Sequence, residues 1–225
     1  MNLSILIPTV DVRTKQLNEL LLNIENQITQ NHLEEKIEVI VFKDNFEYTI
    51  GHKRNTLLDS SQGTFTVYVD DDDELNRNYC KIMSNIIDNK KIDYIGHRIS
   101  RFFNGKEHPY EYRSIHFKSC YTDPCGKSYR HVSHTNPILS TVSKTFKFPE
   151  WNSAEDADWC EQIYKSNLLK KEHYVGDSMY IQHYNDETSL SKDAKDSGDK
   201  KLFSSKQQSS DIAVKDFKFV KWISR

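Results

Sequence analysis

Four consecutive aspartates, Asp70 to Asp73, form the densest chemical feature of the chain, and Glu74 follows them directly. They come after the apolar run TFTVYV, which is typical of a buried strand. Because side chains alternate along an extended chain, Asp70 and Asp72 are predicted to point to one side and Asp71 and Asp73 to the other. Two carboxylates in one pocket repel each other, and a divalent cation would reverse that repulsion. The pattern therefore predicts a site for Mg²⁺ or Mn²⁺, which prefer oxygen ligands and keep positions open for phosphate.

The same stretch has a simpler interpretation as a solvated turn. Asp73 would N-cap a helix that begins at Glu74, with the other acids near the positive end of that helix. Capping accounts for one or two acids, but not for four in a row at the end of a strand. This stretch alone leaves both interpretations open.

A second informative stretch is FPEWNSAEDADW, residues 148–159. Ser153 followed by Asp156 resembles a capping box with Asp in place of Glu, and predicts a helix through about residue 167. A carboxylate at a helix N-terminus stays ionised, which makes Asp156 a candidate general base. Aromatic walls suit the face of a sugar, so Trp151 and Trp159, with Glu155, are candidates for contacting an acceptor.

The overall composition is that of a globular domain. The chain has 225 residues, 36% of them hydrophobic, and a formal net charge of −2. No basic field favours nucleic acid, which is not expected as a partner. No apolar run approaches the ~20 residues needed to span a bilayer, so no integral membrane segment is predicted. The start MNLSILIPTV lacks the features of a signal peptide. We therefore expect a cytoplasmic protein.

The four cysteines fit free thiols in a reducing compartment better than a disulfide framework. Cys120 and Cys125 lie among His116, His131 and His134, which leaves a structural zinc site open, although the spacing matches no standard zinc finger. Neither a GxGxxG nor a GxxxxGK[ST] motif is present, so a Rossmann dinucleotide site or a P-loop has no support.

The elements that position these residues begin with a parallel βαβ unit. Residues 3–7 are predicted as a strand ended by Pro8, which opens a loop to Arg13; an amphipathic helix and a strand at residues 37–42 follow. Because the carboxyl ends of parallel strands meet at one edge, this loop is expected beside the aspartates. Further helices are predicted at residues 51–63 and 75–87. The fold class is α/β, with a central, mostly parallel mixed sheet flanked by helices.

A β-hairpin extension is predicted in the middle of the chain. Residues 92–103 and 110–115 alternate in hydrophobicity, and Asn104-Gly105 is a strong hairpin signal. The Tyr, Phe and Arg residues of this extension would line a groove for a sugar or peptide acceptor, or simply pack within the hairpin. Residues 192–225 are predicted as a polar linker and a basic, aromatic tail that packs on the domain or touches a membrane or partner.

Four segments together resemble, in order and spacing, the family 2 glycosyltransferases with the GT-A fold. They are LSILIPTVDVR with Gln27 downstream, GHKRNTLLDSSQGTFTVYVDDDDEL, FPEWNSAEDADW and MYIQHYNDETSLS, and they span residues 3–191. The resemblance implies a GT-A (Rossmann-like) domain over residues 1–191. It also implies a metal-dependent transferase that moves a single sugar from a nucleotide-diphosphate donor, a UDP-sugar by preference, to an acceptor hydroxyl with inversion.

The resemblance also assigns roles to individual residues. It implies nucleotide contacts from Pro8, Thr9, Val10, Arg13, Asp44, Arg54, Asp70 and Asp71. Asp72 and His183 would hold Mn²⁺ or Mg²⁺, which offsets the charge on the departing diphosphate. Asp156 would be the base that deprotonates the acceptor hydroxyl. The acceptor itself, whether saccharide, lipid, protein or another hydroxyl compound, is left open.

One departure from the family pattern concerns the nucleotide base. The turn after the second strand is Lys43-Asp44-Asn45-Phe46, where the family usually carries Asp-Asp-Gly-Ser, and this puts the identity of the base in doubt. Two other functions compete. A sugar nucleotidyltransferase would usually carry a glycine-rich loop after the first strand, and PTVDVRTK has no glycine. A Ca²⁺-dependent carbohydrate-binding module would use the Asp70 to Asp73 cluster without catalysis.

Overall fold

A computed structural model describes residues 1–185 and 217–223 and confirms the α/β fold class. The strands are β1 (Leu3–Val10), β2 (Ile37–Asp44), β3 (Phe65–Tyr68), β4 (Glu74–Leu75), β5 (Tyr94–Phe103), β6 (Lys106–Arg113), β7 (Tyr121–Thr122), β8 (Ser128–Arg130), β9 (Ile138–Leu139), β10 (Glu172–Tyr184) and β11 (Val220–Ile223). The helices are α1 (Thr14–Gln30), α2 (Ile50–Ser60), α3 (Tyr79–Asn89), α4 (Ser140–Ser143) and α5 (Glu155–Ser166), with a 3-10 turn at Asp11–Arg13.

The strands of the described residues form one mixed sheet in the order β11-β2-β1-β3-β9-β5-β6-β8-β7, and β10 pairs with β4 and β5. The four strands β11, β2, β1 and β3 are parallel to one another, as the predicted βαβ unit requires. The short strand β9 enters antiparallel between β3 and β5. Helices α1 and α3 cover one face with an aliphatic core, and α2 and α5 cover the other. The carboxyl ends of β1 and β3 therefore point to the same edge.

Strand β1 is longer than the sequence predicts, because Pro8 does not end it. All eight residues from Leu3 to Val10 are buried, and Pro8 pairs with Phe42 of β2. The backbone N–H and C=O groups of Leu6 point toward β3, since the Leu6 carbonyl accepts a hydrogen bond from Val69 N. The backbone of Pro8, two residues later, is turned to the same side. The pairing with β3 has already ended there, so the missing N–H of Pro8 leaves no ladder partner unsatisfied.

The predicted hairpin extension is confirmed. Strands β5 and β6 are antiparallel, and Asn104 (φ 49°) and Gly105 (φ 74°) both adopt the left-handed conformation that a type I′ turn needs. Strand β10 runs parallel to β5 over its whole length, with Gln182 beside Arg101 and His183 beside Phe102. This pairing attaches the extension to the edge of the sheet where the aspartates lie.

The tail contributes the last strand of the sheet. Strand β11 pairs in parallel with β2, and Phe217 just before it is buried. The predicted boundary at residues 191 and 192 lies outside the described residues and stays a prediction. In the part of the chain that the structure describes, no helix is both long enough and apolar enough to cross a membrane.

Gly51 is required by close packing at the start of α2. A Cβ atom on this residue would lie 1.9 Å from the carbonyl oxygen of Pro149. Alanine normally stabilises a helix by about 1 kcal/mol relative to glycine. Here we expect Gly51→Ala to destabilise the protein by roughly 1 to 3 kcal/mol because of overpacking, seen as a lower midpoint of thermal unfolding.

A matched control is Gly176→Ala, because a Cβ atom on Gly176 meets no atom within 4 Å. We expect its midpoint to stay close to that of the wild type. A Gly51→Ala protein as stable as this control would show that the segment around Pro149 yields easily, against the expectation of tight packing on α2.

Candidate active site

One cleft of about 360 Å³ opens at the carboxyl edge of β1 and β3. It brings together most of the residues implicated by the sequence, which come from five separate stretches. Those that line it are Pro8, Thr9, Val10, Arg13, Arg54, Asp70, Asp71, Asp72, Glu155, Asp156 and His183. Asp44, Trp151 and Trp159 are not part of its lining.

The exposure of the four aspartates alternates, but β3 ends at Tyr68 and Asp70 to Asp73 form a turn, with Asp73 N donating to the Asp70 carbonyl, rather than the predicted extended strand. The side chains of Asp70 and Asp72 are 30% and 29% exposed. Asp71 and Asp73 are buried, at 4% and 5%. The alternative of a helix capped by Asp73 is wrong, because Glu74 opens a short strand. Asp73 instead accepts hydrogen bonds from Tyr180 Oη at 2.7 Å and His183 N at 2.8 Å, which fix the aspartate turn to β10.

Asp71 orients its neighbours. It accepts hydrogen bonds from Thr9 Oγ1 at 2.5 Å and Arg13 Nη1 at 2.6 Å, and Arg13 Nη1 also lies 2.8 Å from Asp72 Oδ2. Burial, followed by the negative charge of Asp71, raises the pKa of Asp72 to about 7. In this corner of the cleft one guanidinium, that of Arg13, is shared by two carboxylates.

Arg54 joins the aspartate turn to the start of α5. Its guanidinium donates to Asp70 Oδ1 at 3.0 Å and to Glu155 Oε1 at 3.1 Å. Burial alone would raise the pKa of Asp70, but Arg54 outweighs it, with help from His134, and lowers that pKa well below its usual range. Asp70 is therefore held ionised. Burial raises the pKa of Glu155 despite the nearby Arg54.

His134 connects Asp70 with Asp156, a role that the sequence analysis missed. His134 Nδ1 lies 3.3 Å from Asp156 Oδ2, and Nε2 lies 3.6 Å from Asp70 Oδ2. His134 Nε2 is buried and has no hydrogen-bond partner among the described residues. A chain of polar contacts thus runs from Glu155 through Arg54, Asp70 and His134 to Asp156. In the sequence, no feature of this polar loop distinguishes His134 from His131.

Helix α5 begins without the predicted capping box. Its N-cap residue is Ala154, in the left-handed conformation (φ 63°), and no side chain caps the helix. Ser153 lies one residue too early for that role. Asp156 sits in the first turn, with its side chain 38% exposed toward the cleft.

Two of the three residues predicted to contact an acceptor, Trp159 and Glu155, are buried and make other contacts. Trp159 is 1% exposed and its ring stacks on Phe148 at 4.4 Å, so this prediction is wrong: the residue belongs to the core under α5. Glu155 is also buried and holds Arg54. Trp151 is 44% exposed, next to Asn152 of the cleft lining, so its contact with an acceptor stays a prediction.

Asp44 lies behind the cleft, where it positions Lys53. Lys53 Nζ donates to Asp44 Oδ1 at 2.6 Å and to the carbonyl of Thr9 at 3.0 Å. Burial lowers the pKa of Lys53, and Asp44 opposes this shift. Lys53, whose role no sequence motif indicates, lines the cleft together with Phe46 and Tyr48. Because Lys53 lines the cleft and Asp44 does not, the predicted contact between Asp44 and a nucleotide base would be made next to Lys53 or through its ammonium group.

The carboxylates fit a hard divalent cation. Asp72 offers oxygen ligands in the cleft, and the excess negative charge around it is what such a cation offsets. No group of three or more His, Cys, Asp and Glu side chains in the described residues is arranged to hold a metal by itself. Mg²⁺ needs only one or two protein carboxylates beside substrate phosphates. His183 Nε2 lies 3.0 Å from Glu74 Oε1, so Glu74 competes for its predicted metal-binding atom.

The zinc site considered from the sequence does not form. Cys120 and Cys125 are free and exposed. His131 stacks on Tyr164 at 4.0 Å, and His134 lies beside Asp156. These side chains therefore serve separate parts of the structure.

The fold resembles those of solved nucleotide-sugar enzymes. S. aureus TarS, residues 1–349 in complex with UDP, matches with a TM-score of 0.62 and 22% identity over 81% of this chain and 60% of that chain. The complex of the same fragment with UDP-GlcNAc matches with a TM-score of 0.62 and 21% identity, over 81% and 58% of the two chains. The chain has a GT-A-like glycosyltransferase fold.

A second enzyme with this GT-A-like fold is the mannosyltransferase PcManGT from Pyrobaculum calidifontis, solved with GDP-Man and Mn²⁺. It matches with a TM-score of 0.50 and 14% identity over 80% of this chain and 56% of that chain. The present chain thus spans about 60% of the TarS fragment. No protein-family model and no curated protein matches its sequence.

Proposed function

We propose that this protein is an inverting, metal-dependent glycosyltransferase that moves one sugar from a nucleotide-diphosphate donor to an acceptor hydroxyl. The observation that carries the proposal is that one cleft holds both the Asp70–Asp72 turn and Asp156. A transferase needs these two functions side by side, because the donor diphosphate must be held while a base activates the attacking oxygen.

The donor half of the site is built by Thr9, Arg13, Arg54 and Asp70. Arg54 is nearly completely buried and packs over the ring of Tyr68 at 5.3 Å, so the position of Asp70 is fixed before any ligand arrives. Asp70 stays ionised and suits the hydroxyls of a ribose as an acceptor of hydrogen bonds. Arg13 has the fork of N–H donors that fits phosphate oxygens.

The acceptor half centres on Asp156, which takes the proton from the acceptor hydroxyl. The N-terminal turn of α5 favours a carboxylate at this position. His134 keeps the carboxylate from turning away, because its Nδ1 lies 3.3 Å from Asp156 Oδ2 and its backbone carbonyl is held by a hydrogen bond from Tyr68 N. Single displacement by the activated oxygen gives inversion at the anomeric carbon.

Asp72 is the residue that would hold Mn²⁺ or Mg²⁺, with His183 as a second ligand once it leaves Glu74. The ion supplies charge compensation for the departing diphosphate when it is bound. We propose a UDP-sugar as donor because TarS was solved with UDP and UDP-GlcNAc, with GDP-sugars as the next class because of the mannosyltransferase. We also propose a cytoplasmic location, in keeping with four free cysteines.

The first test is a thermal-shift panel of UDP, GDP, CMP and dTDP, each with and without Mn²⁺. We expect one nucleotide, UDP, to raise the unfolding midpoint only when Mn²⁺ is present. At ~100 times the dissociation constant, binding adds about 2.7 kcal/mol of stability, which is readily visible. The absence of a shift with all four nucleotides would contradict the proposed donor site and favour a carbohydrate-binding module.

A further inference from the structure

Three arginines surround a single glutamate on one face of the hairpin extension. Glu111 is buried, and its Oε1 pairs with Arg113 Nη2 at 2.5 Å. Glu111 Oε2 lies 3.7 Å from Arg130 Nε and 4.0 Å from Arg101 Nη1, both beyond hydrogen-bond distance. We call Arg101, Arg113 and Arg130 the arginine cluster. One carboxylate cannot neutralise three guanidinium groups, so the cluster carries an excess of two positive charges.

The strand register places the arginine cluster on a single face. Arg113 pairs with Arg130 across β6 and β8, and Glu111 with Ser128. Glu111 also pairs with Ile99 of β5, and Arg101 lies two residues beyond Ile99, on the same side of that strand. The three guanidiniums thus come from three neighbouring strands and converge on Glu111.

The arginine cluster does not line the cleft but lies next to a residue that does. Arg101 is the register partner of Gln182 in β10, and paired residues of neighbouring strands share a face. Gln182 is one of the residues that line the cleft. The arginine cluster therefore adjoins the cleft through a single neighbouring residue, on the side formed by the hairpin extension.

A second route joins the cluster to the proposed base. The next residue after Arg130 is His131, which lies 3.2 Å from Glu161 on α5. His134 follows three residues later and lies 3.3 Å from Asp156 at the start of α5. From residue 130 to residue 134 the chain can span at most about 14 Å. The backbone of Arg130 therefore lies no more than about 14 Å from that of His134, a separation that one extended acceptor molecule can bridge.

Two of the arginines are open to a ligand. The side chains of Arg113 and Arg130 are 22% and 38% exposed. Arg101 is held more firmly, since Nη2 donates to the carbonyl of Pro109 at 2.7 Å and to that of Gly126 at 3.2 Å. The positive field also acts on His131, whose pKa is lowered mainly by burial and further by Arg113 and Arg130.

We propose that the arginine cluster is an acceptor subsite that binds an acidic group, a phosphate or a carboxylate, on a carbohydrate acceptor. The planar forks of arginine match both anions, and Glu111 is the one carboxylate that pairs with the three arginines within the described residues. This inference rests on the proposed transferase function and names its acceptor class. The arginine cluster selects anionic carbohydrates over neutral ones as the acceptors that present a hydroxyl group to Asp156.

The test is calorimetric titration of the protein with glucose 6-phosphate, glucuronate and glucose, at saturating nucleoside diphosphate and Mn²⁺, which fill the donor half of the cleft. We expect at least one of the two anions to bind about tenfold or more tightly than glucose. Arg130→Gln should reduce that anion to the level of glucose, and Arg130→Lys should give an intermediate affinity, because it keeps the charge and loses the fork.

Arg77→Gln is the matched control, since it removes the same charge from an exposed site that does not line the cleft. We expect it to leave anion binding within about twofold, because an exposed charge outside the cluster is screened by salt. Equal affinity for glucose and both anions, no binding of any of them, or equal losses in Arg130→Gln and Arg77→Gln would overturn the subsite.

Metal-dependent nucleotide binding is measured on the same samples and separates two failures. Intact nucleotide binding with no effect of Arg130→Gln on the anions overturns the acceptor subsite alone. A wild-type protein that binds no nucleotide overturns the proposed function, and the titrations without nucleotide then still decide whether Arg130 binds the anion.

Discussion

Asp156→Asn is expected to reduce glycosyl transfer by about 10²- to 10⁴-fold, the usual contribution of a general base, while nucleotide affinity stays within a few-fold. Asparagine keeps the shape of the side chain and a partner for His134 Nδ1, 3.3 Å away, but it cannot take a proton from the acceptor. Nucleotide affinity is preserved because the proposed nucleotide contacts are made by Asp70 and Arg13, not by Asp156. Transfer is measured with labelled nucleotide-sugar on a glycan library, and affinity by calorimetry.

Asp158→Asn is the control for this substitution. It removes the same charge from the same first turn of α5, but Asp158 bonds Gln162 Nε2 at 2.6 Å and does not line the cleft. We expect transfer by this variant to stay near the wild-type rate. If the two variants lose transfer equally, the effect is one of helix electrostatics, and Asp156 is not the base.

Asp72→Asn has two expected effects of opposite kind. It removes metal-dependent nucleotide binding, because the carboxylate proposed to hold the ion is gone. It also stabilises the metal-free protein, because burial and Asp71 disfavour the ionised form of Asp72 and raise its pKa from 3.8 to about 7. Calorimetry of nucleotide binding and thermal unfolding without metal measure the two effects.

The pH dependence of stability gives the sign of the second effect. The folded-state pKa of Asp72 lies above the unfolded value. Between pH 3.8 and about pH 7 the folded protein therefore binds a proton at Asp72 that the unfolded protein has largely lost. The contribution of this group to stability therefore falls as pH rises through that window. In Asp72→Asn this contribution is absent, so its advantage over the wild type grows with pH.

Asp59→Asn controls for a general loss of negative charge, since Asp59 is 62% exposed and pairs with Lys147 away from the cleft. It should leave both nucleotide binding and metal-free stability near the wild-type values. Metal-dependent binding that persists in Asp72→Asn would refute the metal assignment. A lower metal-free stability would show that the loss of the Arg13 contact outweighs relief of repulsion.

Much of the fold is readable in the sequence because it depends on local pattern. The apolar run before the aspartates predicts strand β3, and Asn104-Gly105 has the conformational freedom that its turn requires. The end of β1 is predicted wrongly at Pro8, because a strand tolerates a proline where no neighbouring strand pairs with it on the side of the missing N–H. Here the strand on that side is β3, far along the chain, and its pairing with β1 ends at Leu6 and Tyr68.

The arrangement of the site is less readable because it depends on contacts distant in sequence. His134 and Lys53 look like ordinary polar residues until folding brings them against Asp156 and Asp44. Trp159 fits the pattern of a sugar-binding aromatic, yet helical periodicity also allows it to face the core, where Phe148 receives it. Composition and spacing do not distinguish these two faces of one helix turn.

The parallel pairing of β11 with β2 has a consequence for synthesis of the chain. Val39 in β2 leaves the ribosome long before its partner Val220, so β2 waits with one edge unpaired until the segment at residues 220–223 emerges. An open strand edge can pair with the same edge of another nascent chain. Premature termination anywhere before β11 should therefore yield aggregation-prone products, and closure of this edge is a late step of folding.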